Sequence, residues 1–351
     1  IVITSVVISV IKHDDGKNEN KKNYKIWCVG NCNNDIQTIS YPGTIFVGGG
    51  NDPIEATSWH IKNTNKGDYL ILSAADYGDE YNDYVYQLSI DLNLQLNSVR
   101  TIQVYNRDAS YEPEVLSIIR NSEGIFFEGG DQSRYINWWA GTEVQTIIQS
   151  KVSNVTLGGT SAGLAILGNW IYSAQYGSID STTALANPYD QDLTLSPYLF
   201  KLNFLETVIT DTHFCERDRM GRMLTFVSRI IQNYTTNDVC SYPVIRSVGV
   251  DEPAALIINA TSGEAVAVGL GNVYVCSTYP SNPVSTNMIC EPNTPLTLID
   301  TSCVRLDASQ NDKINIKTWE NLNVSSIYNN TIINGAFINE PYGPGGGCEL
   351  V

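Results

Sequence analysis

A short segment of the sequence places a serine between glycines where a strand would pass into a helix. Residues 154–157 predict a short strand, the sequence GGTSAG follows at residues 158–163, and the apolar residues 164–170 are compatible with a helix. A serine on such a tight turn presents its hydroxyl outward, and flanking glycines let neighbouring chain approach closely. This G-x-S-x-G match predicts Ser161 as a nucleophile and the backbone N–H of Ala162 as a donor to a developing oxyanion. A glycine-rich turn that only caps a helix is the alternative.

A serine hydroxyl needs a base that accepts its proton, and histidine is the usual base near neutral pH. The chain has three histidines. His13 lies in a charged run typical of a solvated loop, and His60 lies in a stretch that favours a half-buried helix. His213 follows the apolar segment 205–209, so it falls at the end of a predicted strand, and we expect it to be the base.

Three arginines follow His213 within a run of six positions, at Arg217, Arg219 and Arg222. One interpretation is that these three arginines lie on the solvent-exposed face of a helix. However, two acids and a histidine in the same short run favour a pocket that holds an anionic group of a substrate, because guanidinium presents a planar fork to a carboxylate.

Short apolar strands alternate with helical stretches over residues 44–170. Strands are expected at 44–47, 69–73, 99–105 and 124–127, and helices at 80–92, 114–120 and 135–149. The strands are apolar without alternation, which is typical of a parallel sheet buried on both faces. After residue 229, strands at 247–258, 265–270 and 273–276 are separated by Gly and Asp turns.

The composition excludes some classes of function. With 21 Lys plus Arg against 37 Asp plus Glu, the formal net charge of the 351 residues is -16, whereas generic nucleic-acid and anionic-membrane binders need a basic surface. The 42% hydrophobic content is enough for a real core. No uninterrupted apolar window of about 18 residues is present, so we expect no membrane span.

Cysteines and glycosylation sequons predict a secreted protein. The eight cysteines are spread without paired C-x-x-C units, which favours disulfides over zinc, although their connectivity stays open. Because the chain starts at Ile1 without methionine, we expect a signal peptide to have been removed. Five Asn-x-Ser/Thr sequons are predicted glycosylation sites: Asn154, Asn233, Asn259, Asn323 and Asn329.

The motifs together resemble a known family, the cyanophycinase-like serine peptidases, which are relatives of the aspartyl dipeptidases. Five blocks carry the resemblance, in the order that the family has them: FVGGG at 46–50, IFFEGGDQ at 125–132, GGTSAG at 158–163, DTHFCERDRMGR at 211–222 and VGVDEPAAL at 248–256. The resemblance covers about residues 43–276. The third and fourth blocks are specific, and the first is not.

The resemblance implies a fold and a reaction. It implies an α/β fold with a mostly parallel sheet flanked by helices, similar to class I glutamine amidotransferases and flavodoxin-like proteins. The implied activity is cleavage of a peptide or isopeptide bond next to aspartate, including the β-linked Asp-Arg unit, with no metal or cofactor. The oxyanion would be bound by Ala162 N–H and an N–H of Gly129 or Gly130. The implied substrate-binding residues are Asp131, Gln132, Asp211, Arg217, Arg219 and Arg222.

The third member of the implied catalytic triad falls in a region where an insertion is expected. Ser161 and His213 are 52 residues apart, an interval longer than the family's, so an insertion is expected at 180–193. We predict Asp180 as the acid that orients the histidine, with Asp211 as a substitute. Cys215 is expected to be structural, in a disulfide with Cys240, rather than a second nucleophile.

Three regions are expected along the chain. Residues 1–42 are expected to form an N-terminal strand (1–11) and a polar linker, and residues 43–276 the peptidase domain. Residues 277–351 are expected to form a β-rich extension that is crosslinked by disulfides and packs on the core. The β-branched strand 1–11 also supports an alternative function. An extracellular structural or self-assembling glycoprotein that kept an inactive peptidase fold would use it to pair with a neighbouring subunit in a homo-oligomer. The simpler account of the strand is an extra edge strand on its own domain.

Overall fold

Two β-sheets, one of ten strands and one of nine, carry the fold. The computed structural model describes residues 22–75, 78–235, 244–279 and 287–346. The predicted strand 1–11 lies outside the described residues, as do residues 12–21 of the polar linker.

The centre of the first sheet is parallel and fully buried. Its parallel strands, in spatial order, are β4 (Ser98–Val104), β3 (Asp68–Ser73), β5 (Gly124–Phe127), β6 (Thr156–Thr160) and β2 (Gly43–Val47). Every residue in these strands is buried, which explains why their sequences lack alternation of apolar and polar residues. The expected parallel pairing is therefore found in these five strands, within a mixed α/β sheet flanked by helices rather than a mostly parallel one.

Antiparallel strands extend this sheet on both sides. At one edge β1 (Tyr24–Gly30) pairs with β4. Beyond β2, the strands that follow in order are β11 (Ala254–Asn259), β12 (Glu264–Gly269), β16 (Lys313–Asn315) and β17 (Glu320–Asn323).

Five helices follow strands of this sheet or connect them. They are α1 (Ile54–Thr64), α2 (Glu80–Asp91), α3 (Pro113–Asn121), α4 (Gln132–Trp139) and α5 (Glu143–Lys151). The single helix expected at 135–149 is wrong, because the chain forms α4 and α5 with a break between them. Gly141 in that break has φ 73°, a backbone angle that a continuing helix excludes. No helix in the described parts of the chain is both long and apolar enough to cross a membrane.

The second sheet is mostly antiparallel, with β9 (Val208–Asp211) lying parallel between β7 (Trp170–Tyr172) and β10 (Ile245–Val250). Its other strands are β8 (Leu195–Pro197), β13 (Asn272–Thr278), β14 (Met288–Ile289), β15 (Thr297–Asp307), β18 (Ser326–Ile333) and β19 (Ala336–Phe337). Three more helices are α6 (Ala162–Ala165), α7 (Ser181–Ala186) and the buried α8 (Met220–Ile230).

The helix expected at 164–170 is shorter and begins earlier than its sequence suggests. Helix α6 covers only Ala162–Ala165, and the chain then turns into β7. Trp170 pairs with Ile209 of β9, so pairing with the second sheet overrides the local preference of these apolar residues.

The C-terminal part of the chain adds strands to both sheets. Strands β16 and β17 extend the first sheet, whereas β14, β15, β18 and β19 belong to the second. Disulfides join Cys276 to Cys303 across β13 and β15, and Cys28 to Cys32 at the end of β1. Cys215 is also disulfide-bonded, and its expected partner Cys240 lies outside the described residues.

The turn that follows β6 packs directly on the backbone of β5. A Cβ atom at Gly163 would lie 2.0 Å from the carbonyl oxygen of Phe127 and 2.8 Å from that of Glu128. Only glycine permits this approach, because a change of side-chain rotamer cannot relieve a clash between a Cβ atom and a backbone carbonyl oxygen. The close contact fixes the serine turn relative to the central sheet.

We expect Gly163→Ala to lower the free energy of unfolding by about 1–3 kcal/mol, because the added methyl overpacks this contact. Gly129→Ala is the matched control, since its Cβ would meet Ser161 Cβ at an ordinary 3.4 Å. Urea unfolding of both variants measures the difference. Equal stability of the two variants would show that the turn does not depend on this contact.

Candidate active site

Ser161 lies on the turn between β6 and α6. Its backbone has φ 51° and ψ −117°, a combination that non-glycine residues rarely adopt and that the surrounding structure must hold in place. Its N–H donates to the Val47 carbonyl at 3.2 Å, and its carbonyl accepts from Ala165 N–H at 3.0 Å. The end of β2 and the first turn of α6 therefore fix the serine between them.

His213 follows β9 and faces Ser161. The distance from Ser161 Oγ to His213 Nε2 is 2.6 Å, which is a hydrogen bond. The backbone of His213 also has a positive φ, 44°, and its N–H donates to the Gly48 carbonyl at 2.8 Å. Of the other histidines, His60 is buried in α1 and His13 lies outside the described residues. The structure thus brings together the two residues that the sequence paired.

Glu252, rather than Asp180, is the acid that contacts the histidine. Its Oε1 accepts a hydrogen bond from His213 Nδ1. Asp180 is exposed and caps α7, where its Oδ1 accepts from Thr183 N–H at 2.7 Å, so the prediction for Asp180 is wrong. The substitute Asp211 is also wrong, because its carboxylate pairs with Arg222.

Sheet topology explains why Glu252 was missed. Strands β9 and β10 are parallel neighbours, so the segments that leave their carboxyl ends meet at the same edge of the second sheet. His213 follows β9 and Glu252 follows β10. The glutamate lies within the VGVDEPAAL block that carries the family resemblance, after His213 and outside the interval from Ser161 to His213 in which the sequence predicts the acid.

The glycines after β2 pack against the histidine and the glutamate. A Cβ at Gly49 would lie 2.2 Å from His213 Cε1, and one at Gly50 would lie 2.7 Å from Glu252 Oε2. Gly49 also has φ 123°, which disfavours any side chain. The block FVGGG, unspecific as a motif, therefore forms the surface against which the imidazole and its carboxylate are held.

The environment of His213 favours the neutral imidazole. Burial lowers the pKa of His213 below its ordinary value of 6.5, and the charges of Arg217 and Arg219 act in the same direction. The hydrogen bond that His213 donates to Glu252 opposes them without reversing the shift. At neutral pH the ring is therefore unprotonated and can accept the proton of the Ser161 hydroxyl.

A cavity of about 370 Å³ opens beside Ser161 and His213. Its walls include segments that follow β5, β6, β7 and β9, so residues far apart in sequence converge there. Of the residues expected to bind the oxyanion or the substrate, Gly129 does not line this cavity, whereas the others do: Gly130, Asp131, Gln132, Ala162, Asp211, Arg217, Arg219 and Arg222.

The three arginines of the cavity differ in what they already bind. Arg222 is buried and donates two hydrogen bonds to Asp211, from Nε to Oδ2 at 2.8 Å and from Nη2 to Oδ1 at 2.5 Å. Arg219 is also buried and donates to the Thr212 carbonyl at 2.9 Å. Arg217 is exposed, and no side-chain hydrogen bond or ion pair joins it to another described residue. Of the three, Arg217 is the guanidinium that is available to an incoming anion.

Two further expected residues have structural contacts of their own. Asp131 caps α4, with its Oδ1 accepting from Ser133 N–H at 2.9 Å. Gln132 lines the cavity, and its Nε2 donates a long hydrogen bond to the Tyr172 carbonyl at 3.4 Å. Within the described ranges, no group of three or more His, Cys, Asp or Glu side chains is arranged to hold a metal ion.

Comparison with known proteins places this site in a family. A model described as Peptidase family S51 matches residues 60–259, more than half of the chain. The chain belongs to peptidase family S51. The matched segment contains Ser161, His213 and Glu252, and the resemblance to cyanophycinase-like peptidases is confirmed.

Two curated S51 relatives are cyanophycinases. That of Geminocystis herdmanii is 24% identical over 243 residues, which are 66% of this chain and 79% of the relative. That of Trichormus variabilis is 27% identical over 206 residues, which are 57% of this chain but only 60% of the relative. Membership of family S51 indicates that the chain is a peptidase, a hydrolase of peptide bonds.

Two solved structures that align with this chain carry peptidase descriptions. A peptidase from an acI-B1 Actinobacterium aligns with a TM-score of 0.47 and 17% identity, covering 68% of this chain and 92% of that protein. A putative peptidase E from Listeria monocytogenes aligns with a TM-score of 0.41 and 15% identity, covering 66% and 99%.

We expect Glu252→Gln to lower kcat by on the order of 10²- to 10⁴-fold, because the amide no longer stabilises the imidazolium that forms on His213. Glu252 raises the pKa of His213, so its removal lowers that pKa further and moves the acid limb of the pH–rate profile to lower pH. Rate measurements between about pH 4 and 9 test both effects.

Glu264→Gln is the control for this substitution, since Glu264 pairs with Lys313 on the surface of the first sheet. It is expected to leave both the rate and the profile unchanged. A Glu252→Gln protein with the wild-type rate and acid limb would show that this carboxylate does not act on the histidine.

Proposed function

We propose that the protein is a serine peptidase that hydrolyses a peptide or isopeptide bond next to aspartate through an acyl-enzyme. Ser161 is the nucleophile, His213 the base and Glu252 the acid that orients the histidine. The observation that carries the proposal is the 2.6 Å contact between Ser161 Oγ and His213 Nε2 beside a cavity bordered by arginines.

The residues account for both halves of such a reaction. Ser161 Oγ attacks the scissile carbonyl carbon while its proton passes to His213 Nε2, and the resulting oxyanion accepts hydrogen bonds from Ala162 N–H and Gly130 N–H. His213 then gives the proton to the leaving amine, the C–N bond breaks, and an ester remains on Ser161. A water molecule, deprotonated by His213, hydrolyses the ester and returns the serine hydroxyl.

Arg217 supports recognition of an aspartate next to the scissile bond. Its guanidinium borders the cavity without a described ion-pair partner, whereas Arg219 and Arg222 are committed to Thr212 and Asp211. A carboxylate of the substrate would pair with Arg217 through charge-assisted hydrogen bonds. Arg222 and Asp211, in contrast, shape the wall of the cavity.

The expected reaction is release of aspartate from β-Asp-Arg or from one of a panel of α-aspartyl dipeptides, and Ser161→Ala should abolish it. Arg217→Gln should raise KM by about 10- to 100-fold with a smaller effect on kcat, because a lost charged hydrogen bond costs about 1.5–3 kcal/mol. The matched control Arg120→Gln removes a surface arginine that pairs with Glu143 at 3.7 Å.

No turnover of any aspartyl substrate by the wild type would contradict the proposed function. Equal turnover by wild type and Ser161→Ala would contradict the assignment of the nucleophile. Equal KM values in the Arg217→Gln and Arg120→Gln proteins would remove Arg217 from substrate recognition.

We also propose that the protein is a secreted glycoprotein. Disulfides such as Cys276–Cys303 form and persist in oxidising compartments, which supports secretion. Four of the five sequon asparagines are exposed: Asn154, Asn259, Asn323 and Asn329. The fifth, Asn233, is partly buried, and its Oδ1 accepts from the Tyr189 hydroxyl at 2.8 Å.

Glycopeptide mapping of protein secreted from a eukaryotic host should find glycans at the four exposed asparagines and none at Asn233, where a glycan would break the contact with Tyr189. Tyr189→Phe, which removes the hydrogen bond, serves as the comparison. A chain that carries no glycan at any of the five positions would contradict this proposal. So would a chain that is retained inside the cell.

The alternative of a structural, self-assembling glycoprotein depends on strand 1–11, which lies outside the described residues. It therefore stays a prediction, and so does the homo-oligomer expected from it.

A further inference from the structure

One aromatic side chain of the C-terminal extension packs on the loop that carries His213. We define this active-site loop as residues 213–219. Tyr342 is 5% exposed, and the centroid of its ring lies 6.0 Å from that of Phe214 and 5.4 Å from that of Tyr274. The Peptidase family S51 model ends at residue 259, so a residue outside the matched segment contacts the loop.

The hydroxyl of Tyr342 takes part in two hydrogen bonds. It donates to Asp218 Oδ1 at 2.9 Å and accepts from Met220 N–H at 3.4 Å. Asp218 lies near the end of the active-site loop, and Met220 is the first residue of α8. One hydroxyl thus joins the loop to the helix that follows it.

The neighbours of Tyr342 hold it against the second sheet. The Pro341 carbonyl accepts from Nδ2 of the buried Asn330 in β18 at 3.0 Å. Gly343 packs on the ring of Tyr328, where a Cβ atom would lie 2.6 Å from Cδ1. Strand β18 pairs with β15, which a disulfide joins to β13. Tyr342 therefore brings to the loop a hydrogen-bond donor that is itself fixed by the sheet.

Asp218 occupies a position in the loop that needs support. It lies between Arg217 and Arg219, both of which line the cavity beside the nucleophile, and its backbone has φ 46°. Such a backbone angle is uncommon outside glycine and is held by surrounding contacts. The carbonyl of Asp218 accepts from the Ser181 hydroxyl, and its carboxylate accepts from Tyr342. These contacts fix the backbone from which both arginine side chains extend.

The two ends of the active-site loop are held by different parts of the chain. At its start, the N–H groups of residues 213–215 donate to residues at the ends of β2 and β10. At its end, Tyr342 of the extension binds the side chain of Asp218. The start of the loop carries the base, whereas the end carries the arginines. Loss of the Tyr342 hydroxyl should therefore affect substrate binding more than proton transfer.

We propose that Tyr342 is a positioning residue, which holds Arg217 in place for the substrate through its hydrogen bond to Asp218. The inference rests on the proposed function, in which Arg217 binds a carboxylate of the substrate. Tyr342 is not among the described residues that line the cavity, so it acts through the loop. The C-terminal extension thereby contributes to the active site as well as to the sheets.

Tyr342→Phe removes the hydroxyl and keeps the ring. We expect KM for aspartyl substrates to rise about 3- to 10-fold with little change in kcat, because the loop loses a hydrogen bond to a charged acceptor. Tyr328→Phe is the matched control, since Tyr328 lies in β18 of the same extension and its buried hydroxyl has no hydrogen-bond partner among the described residues. This control should keep the wild-type KM.

A double-mutant cycle assigns the effect to the contact with Asp218. Asp218→Ala should raise KM at least as much as Tyr342→Phe does, and in the Asp218→Ala background Tyr342→Phe should have little further effect, because the shared hydrogen bond is already lost. The same fold-change from Tyr342→Phe in both backgrounds would overturn the proposal. Equal KM values in the Tyr342→Phe and Tyr328→Phe proteins would overturn it too.

Hydrogen exchange separates this proposal from the proposed function. A peptide that covers residues 212–222, followed by mass spectrometry, should exchange faster in Tyr342→Phe than in Tyr328→Phe protein, because the end of the loop opens more often. Equal exchange in the two variants would overturn the proposal. Faster exchange in Tyr342→Phe without hydrolysis of any aspartyl substrate by the wild type would uphold the anchoring of the loop and contradict the proposed function instead.

Discussion

The hydrogen bond between Ser161 and His213 depends on the end of strand β2. Ser161 belongs to the first sheet and His213 follows a strand of the second, yet the N–H of each donates to adjacent carbonyls of the same strand end, Val47 and Gly48. Both residues have a positive φ, so neither backbone would hold its conformation without such support. The strand end therefore sets the relative position of the nucleophile and the base, and the glycines that follow leave room for the ring.

The loop that carries the histidine has a second support behind it. Asp251 is buried and accepts hydrogen bonds from Cys215 N–H and Asn272 N–H, each at 2.9 Å. This carboxylate precedes Glu252 in the chain, so one short segment both anchors the loop after His213 and supplies the acid that contacts the ring.

Local sequence predicted the features that depend on local chemistry. The glycine turn around Ser161, the strands of the parallel sheet and the basic run after His213 all follow from residue types at short spacing. The role of Glu252 depends instead on the parallel pairing of β9 with β10, which no local pattern contains. Asp180 had the right chemistry but caps a helix, a use that a single sequence does not distinguish.

The distribution of the C-terminal strands bears on how the molecule unfolds and how it tolerates truncation. Strand β16 covers the edge of β12 in the first sheet, and β15 covers the edge of β13 in the second. A chain cut after residue 279 would therefore bare two rows of unpaired backbone N–H and C=O groups at once, and such rows recruit strands from other molecules. The strands of the last fifth of the polypeptide thus shield one edge of each sheet from pairing with strands of other molecules.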